Sequence, residues 1–342
     1  MARIALDAMG GDHAPDMVIE GAAMAARSIA NARFLLVGPE TVLKEACVRY
    51  QLDESRFEII PASQVVDMAE KPSVALRKKK DSSMVIGARL VKEGRADAFV
   101  SAGNTGALMA IARFILRTLP GIDRPAIASL MPTCIGSTLM LDLGANVDCT
   151  VEHLLQFALM GEVYAKAVMG LTGPRIGLLN IGEEEMKGNE VVRQTGERLR
   201  GNPCFAGNVE GTDLFAGRFD VVVCDGFAGN VSLKSAEGVA HMLIHFLKEA
   251  FGHSWLTRFG YLMAKPALNR FKDRVDPRRY NGAMLLGLNG IVVKSHGSAD
   301  ALAYRNAIEV AVNLATKRVN EKIAVEVGRQ TAAALTSVPG GD

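Results

Sequence analysis

The sequence has few cysteines, no long apolar run and almost no net charge, and each of these shortages removes a class of protein. No apolar stretch reaches the roughly 20 residues that span a bilayer; the most apolar one, Leu154 to Leu171, is interrupted by Glu162 and Lys166. The five cysteines (Cys47, Cys134, Cys149, Cys204, Cys224) are odd in number, widely spaced and without a CxxC pair. That pattern argues against a disulfide framework or a zinc site and for a reducing compartment. A net charge of +2 over 342 residues leaves little electrostatic footprint for a non-specific nucleic-acid binder. The opening Met1 to Asp7 meets an acid within seven residues, so it reads as a first strand rather than a signal peptide, and a cytoplasmic location is expected.

Several catalytic signatures are missing too. There is no GxxxxGKS/T loop for a P-loop nucleotidase and no GxGxxG after a strand for a dinucleotide. No GxSxG elbow or HExxH helix appears. The H-x4-D of glycerolipid acyltransferases is also absent, since His13 is followed by Asp16 after three residues rather than five.

What is present is an alternation of short β-rich runs with amphipathic helical stretches, on an ordinary globular composition of 49% hydrophobic and 22% charged residues. Strands are expected at 3–6, 34–37, 57–60, 98–101, 126–131, 138–143, 175–180, 221–224 and 291–294. Helices are expected at 15–29, 41–50, 82–93, 108–116, 151–169, 190–200, 231–250 and 301–325. Sequential units of this kind predict an α/β fold: a three-layer αβα, doubly wound, largely parallel sheet. No composition shift marks a boundary, so a single domain over 1–336 with a short flexible tail at 337–342 is expected. Between Phe246 and Arg279 the rhythm fails, and two helical segments broken at Lys265-Pro266 predict a protruding hairpin at about 246–279.

Five predicted strands end in loops of one chemical vocabulary. They are Asp7-Ala-Met-Gly-Gly-Asp-His-Ala-Pro15, Ser101-Ala-Gly-Asn-Thr-Gly106, Asp142-Leu-Gly-Ala-Asn146, Asn180-Ile-Gly-Glu183 and Asp225-Gly-Phe-Ala-Gly-Asn230. One such loop is ordinary turn and cap chemistry. Five at strand ends, which in an open parallel sheet share one edge, predict a common crevice lined by backbone N–H groups and helix N-termini. Phosphate is the natural occupant of such a pocket, and without a protein nucleophile or metal it could itself be the nucleophile.

The nine residues from Asp7 to Pro15 closely resemble the opening of the PlsX-type phosphate acyltransferases of bacterial phospholipid synthesis. The resemblance continues through Ser101–Ala107, Asp142–Asn146, Asn180–Glu185 with Lys187–Glu190, Asp225–Asn230 and His296–Asp300, covering nearly the whole chain. It implies transfer of a fatty acyl group from acyl-[acyl-carrier-protein] to inorganic phosphate, with no organic cofactor or metal. It also implies a fold similar to those of phosphotransacetylases and isopropylmalate dehydrogenases, and a homodimer. Peripheral association with the inner face of the cell membrane is implied as well, where the product passes to a glycerol-3-phosphate acyltransferase.

Under that chemistry the phosphate is expected at the amides of Gly103–Gly106 with Asn104 and Thr105, and Gly10, Gly11 and Ser101 belong to the same lining. Asn146, Asn230 and Asn180 are candidate neutral donors, Lys187 the candidate cation, and His13 or His296 the candidate proton-transfer group. Asp7, Asp12, Asp142 and Asp225 could orient them, although Asp12 could equally cap the helix at Pro15. Cys224 reads as a buried strand residue rather than a nucleophile.

The hairpin region interleaves Trp255, Phe259, Leu262, Met263, Leu268 and Phe271 with Arg258, Lys265, Arg270, Lys272 and Arg274. Such a face suits a dimer interface or an anionic membrane surface. Carrier proteins are acidic, so Arg77-Lys78-Lys79-Lys80 and the 270–279 group are two candidate docking faces. The competing readings are a phosphotransacetylase-like enzyme using acyl-CoA, an isopropylmalate-type dehydrogenase and a non-catalytic lipid-binding protein.

Overall fold

The computed structural model describes residues 1–336, with the side chains of 272–275, 277 and 330–336 left aside. The tail at 337–342 and the side chains of Lys272 and Arg274 therefore lie outside the described residues. Eleven strands form one sheet: β1 (Ala2–Asp7), β2 (Ala32–Gly38), β3 (Phe57–Pro61), β4 (Ala98–Ser101), β5 (Ala126–Thr133), β6 (Gly136–Leu141), β7 (Ile176–Leu179), β8 (Phe205–Val209), β9 (Val221–Val223), β10 (Ala283–Leu286) and β11 (Ile291–Lys294). The helices that place the candidate site are α1 (Asp16–Ser28), α2 (Glu40–Arg49), α3 (Pro72–Lys78), α4 (Ser83–Lys92), α5 (Thr105–Leu116), α6 (Val151–Tyr164), α7 (Glu190–Leu199), α8 (Gly226–Gly252), α9 (Trp255–Val275), α10 (Ala301–Thr316) and α11 (Val319–Thr336).

The strand order is β3-β2-β1-β4-β11-β10-β5-β6-β9-β7-β8. Helices cover both faces, which is why the central strands read as nearly unbroken apolar runs. On one face Ile4, Leu6, Phe34, Leu36 and Val293 pack with α1, α6 and α10 residues such as Ile19, Phe157 and Tyr304. On the other, Ala5, Leu35, Phe99 and Val292 pack with α4 and α5 residues such as Met84, Leu108 and Ile111. The expected three-layer α/β architecture is present.

The direction of the strands differs from the expectation in one consequential way. β5 and β6 form an antiparallel hairpin closing at Thr133↔Gly136, and β10 lies antiparallel to both β5 and β11. β9 then pairs in parallel with β6, and β7 with β9 and β8. The carboxyl ends of β1, β4 and β11 therefore share one sheet edge, while those of β6, β7 and β9 lie on the opposite edge. The five Gly/Asn-rich loops fall into two groups separated by the length of a strand, roughly 13–20 Å. The single crevice expected from the sequence does not form within one chain.

Three boundaries also move. α8 runs from Gly226, and the hairpin turns at His253-Ser254, not at Pro266, which sits inside α9. Ser254 provides the reason: it forms a capping box with Thr257, whose hydroxyl also reaches the Phe251 carbonyl 3.1 Å away. Pro266 removes one hydrogen bond on an exposed stretch, which the helix tolerates. The helix expected over 301–325 is interrupted at Arg318, which takes a left-handed φ of 53°. β8 and β10 were not expected; each is short and lacks the alternating pattern that signals a strand.

On the opposite edge, packing is close enough to specify glycine. A Cβ on Gly229 would lie 1.9 Å from the Asp142 carbonyl oxygen and 2.8 Å from Cys224 Sγ. Gly229→Ala should therefore force α8 away from β6 and lower stability by about 3 kcal/mol, the upper end for overpacking a core. Thermal or denaturant unfolding measures this, and a Tm equal to the parent's would show that the contact relaxes freely.

Candidate functional site

β1, β4 and β11 lie side by side and end together. Leu6 pairs with Val100, and Ser101 with Lys294, so three consecutive strand ends deliver Asp7, Ser101 and Lys294 to one place. Each is buried. Ser101 Oγ donates to Asp7 Oδ2 at 2.7 Å, and the Gly103 amide donates to Ser101 Oγ at 3.1 Å. The chain can turn this tightly because residue 10 has no side chain: a Cβ there would sit 2.6 Å from Asp7 Oδ2 and 2.8 Å from the Gly103 nitrogen. Because α1, α5 and α10 follow these strands, and α4 precedes β4, four helix N-termini open on this edge. Their dipoles favour an anion, with the start of α5 exposed at Thr105 and Gly106 and that of α4 buried.

Lys294 is the residue that sequence reading missed, since it looked like the polar end of a strand. It is only 8% exposed. Its Nζ donates to the carbonyl oxygens of Ala102 (3.3 Å) and Ser295, with no carboxylate in direct contact among the described residues. Burial pulls its pKa down to about 8, opposed through space by Asp7 and Asp12. The same burial pushes the Asp7 carboxyl up, against the hydrogen bonds from Ser83 and Ser101 and the charge of Lys294. A buried ammonium held by neutral carbonyls keeps unused electrostatic attraction for an incoming anion.

His296 follows two residues later. Its Nδ1 lies 2.9 Å from Ser298 Oγ and accepts from the Ser298 amide at 3.3 Å, which places the ring proton on Nε2. Partial burial, then Lys234 and Lys294, holds its pKa below the ordinary value, which favours the neutral imidazole. Asn281, also unmarked in the sequence, fixes this turn from the segment leading into β10: its Nδ2 donates to Ser295 Oγ (2.8 Å) and the Ala303 carbonyl (2.7 Å), and its Oδ1 accepts from the His296 amide (3.0 Å). Asp300 caps α10 and pairs with Arg278 at 2.9 Å, tying the return of α9 to the same corner.

The other residues expected here are distributed unevenly. Gly11 and Gly106 line the edge, and Thr105 is exposed at the start of α5. Asp12 and His13 are exposed; α1 has no side-chain cap, so Asp12 does not serve as one. Asp12 is held through its backbone, whose amide donates to the Gly297 carbonyl at 2.9 Å. Asn104 is already engaged. Its Oδ1 caps α5 through the Ala107 amide, and its Nδ2 donates to the carbonyls of Met68 (2.8 Å), Glu70 (2.9 Å) and Asp67 (3.4 Å). It pins the loop 62–71 over the site, where Met68 reaches Gly297.

Asp142, Asn146, Asn180, Lys187, Asp225 and Asn230 belong to the opposite edge. The Asp142 carboxylate accepts from the amides of Ile127, Ala145 and Asn146 and from Asn146 Nδ2. Asn146 gives its second N–H to the Pro125 carbonyl, and Asp225 caps α8 through the Ala228 amide. Asn180 Nδ2 donates to the Lys187 carbonyl, closing a loop on which Lys187 is exposed. These bonds satisfy the loops internally, and the sequence could not distinguish that use from ligand binding. Burial pushes the Cys149 thiol up to about 12 and that of Cys224 well above its ordinary value, so neither offers a thiolate at neutral pH.

Asn104→Asp keeps the helix cap but sets a carboxylate against three carbonyl oxygens. The loop 62–71 should loosen, with faster hydrogen exchange over that segment and a stability loss of about 1–3 kcal/mol; unchanged exchange there would contradict the pinning role.

Comparison with known proteins gives the family of the chain. A family model described as "Fatty acid synthesis protein" matches residues 2–322. A phosphate acyltransferase of Magnetococcus marinus is 60% identical over 328 residues, 94% of each chain. One from Methylococcus capsulatus is 55% identical over 326 residues, 94% of this chain and 96% of its own. Among solved structures, a phosphotransacetylase from Streptococcus pyogenes superposes with a TM-score of 0.61 at 18% identity, over 92% of this chain and 94% of the other. The EutD phosphotransacetylase of Staphylococcus aureus gives 0.59 at the same identity and coverage. The structural likeness establishes a shared fold; the extent and depth of the sequence match establish that the chain belongs to the phosphate acyltransferase family.

Proposed function

We propose that the chain transfers a fatty acyl group from acyl carrier protein to inorganic phosphate, supplying acyl phosphate for phospholipid synthesis. The observation that carries this is Lys294, a buried ammonium with only carbonyl partners beside four helix N-termini. Phosphate binds against Lys294 and the first amides of α5, and one of its oxygens attacks the thioester carbonyl carbon. The tetrahedral oxyanion collapses with cleavage of the C–S bond, and the carrier's thiolate takes a proton from the surroundings. Positioning a hydrated anion and stabilising the oxyanion are the enzyme's main contributions. His296 Nε2–H, neutral and fixed, is suited to donate to either the phosphate or the oxyanion.

Phosphate-dependent thiol release tests the reading. Acyl carrier protein should serve as donor, and Lys294→Met should lower kcat/KM for phosphate roughly 100-fold or more, the range for removing one preorganised charge contact. Thiol release without phosphate would sink it, and use of short acyl-CoA alone would shift it to a phosphotransacetylase-like donor. The pH dependence has a definite sign. Phosphate needs the charged ammonium, so its KM should rise as pH passes about 8. Stability moves the other way: from about 8 to the ordinary 10.5 the unfolded lysine still holds the proton that the folded one has lost, so this group adds stability as pH rises.

We further place the enzyme as a homodimer at an anionic membrane surface, close to a glycerol-3-phosphate acyltransferase that would take the product. Among the described residues no helix is long and apolar enough to cross a membrane. α8 and α9 nevertheless expose Met242, Leu243, Phe246, Trp255, Phe259, Leu262 and Met263. Each large apolar side chain left in water forgoes roughly 1.5–3 kcal/mol, which favours a covering partner or lipid. α8 starts at the opposite edge and brings Lys234 and Glu237 within electrostatic reach of His296 before it runs out into the hairpin. For the acidic carrier we favour Arg77, Lys78 and Lys80, exposed beside the loop 62–71; Lys79 is tied to Glu70 at 2.6 Å, and Arg278 to Asp276 and Asp300. Leu262→Glu should release the protein from anionic liposomes in a flotation assay while leaving turnover of soluble acyl carrier protein intact. Full retention on the liposomes would refute membrane contact through this face.

A further inference from the structure

At the amino ends of β1–β3, on the edge opposite Lys294, a cavity of about 180 Å³ is walled by Arg3, Arg33, Arg56 and Arg95. Arg3 and Arg33 are direct register partners on neighbouring strands, so the pairing itself sets two like charges side by side. Such a pair is unfavourable unless something negative compensates it. The acids available are few. Asp97 accepts from Arg3 at 2.9 Å, and Glu58 lies 3.4 Å from Arg95 in a pair of which both members are more than half exposed. Arg33 has no hydrogen-bond or ion-pair partner among the described residues. Arg56 forms no ion pair among them, and Asp53 acts on it only through space: its guanidinium donates to the carbonyls of Ala32 (2.8 Å), Ala26 (3.1 Å) and Ile29 (2.6 Å) and lies 5.8 Å from the centre of the Phe34 ring. Of the four guanidinium groups only those of Arg3 and Arg95 form ion pairs among the described residues, so Arg33 and Arg56 face one concave surface without one, Arg56 rigidly held.

We propose that this pocket is a second anion site, taking a phosphoryl dianion, either free phosphate or a small phosphate monoester. Planar guanidinium forks match the oxygen geometry of that group better than ammonium groups do. The cavity admits a phosphoryl group with a short substituent. Lys294 and the arginine pocket occupy opposite ends of β1 and its neighbours, so the pocket's ligand does not compete with a phosphate held at Lys294.

Equilibrium dialysis of the full chain at fixed ionic strength, with labelled inorganic phosphate and separately with phenyl phosphate, tests this. The parent protein should bind two phosphoryl anions per chain, and Lys294→Met one. Arg33→Glu should weaken the second site tenfold or more while leaving kcat and KM for phosphate within twofold. Arg95→Glu provides the same reading should Arg33→Glu fold poorly. Stronger retention of phenyl phosphate would assign the pocket to monoesters, and stronger retention of inorganic phosphate to the free anion. Binding by Arg33→Glu and Arg95→Glu equal to the parent's would overturn the proposal. So would loss of all phosphoryl binding in Lys294→Met, a result that leaves the site at Lys294 standing.

Discussion

A two-residue turn at Cys134 and Ile135 reverses the chain between β5 and β6, and every later strand that pairs in parallel with β6 inherits the reversal. Because parallel pairing propagates direction without loss, this one turn decides which loops can meet. It assigns Asp7, Ser101 and Lys294 to one edge and Asp142, Asn180 and Asp225 to the other. The intervening β10 restores the antiparallel match on its other side, so β11 joins β4 in parallel and carries Lys294 to Ser101. The chemistry of the site depends on this arrangement more than on any single side chain.

Much of the fold was legible because it rests on periodicity. Phe34–Val37 and Ile291–Val293 read as buried strands, and the helices expected from 82 and 301 begin within one residue of those positions, capped by Ser82 and Asp300. Strand direction was not legible, since a hairpin and a crossover can leave similar local patterns. β10 escaped notice because four apolar residues between two glycines show no alternation.

The candidate site was half legible for a related reason. Gly-Asn vocabulary reports that backbone is crowded, whether by a ligand or by the protein itself. At Asn146 the crowding is internal: its amide is taken by Asp142 and Pro125. At Asn104 the amide serves a covering loop. Lys294 gave no signal because a lysine at a strand end is ordinarily solvated, and only the three-dimensional packing removes its water. Its depressed pKa follows from that desolvation, which Asp7 and Asp12 oppose only through space.

α8 connects these regions mechanically. Its 27 residues make a rod of roughly 40 Å. The rod is bolted at Asp225 and Gly229 to the Asp142 loop, passes Lys234 beside His296, and ends in the apolar hairpin. One continuous helix therefore joins the Asp142 loop at one end to the apolar hairpin at the other, and its shaft carries charge past the candidate site between them.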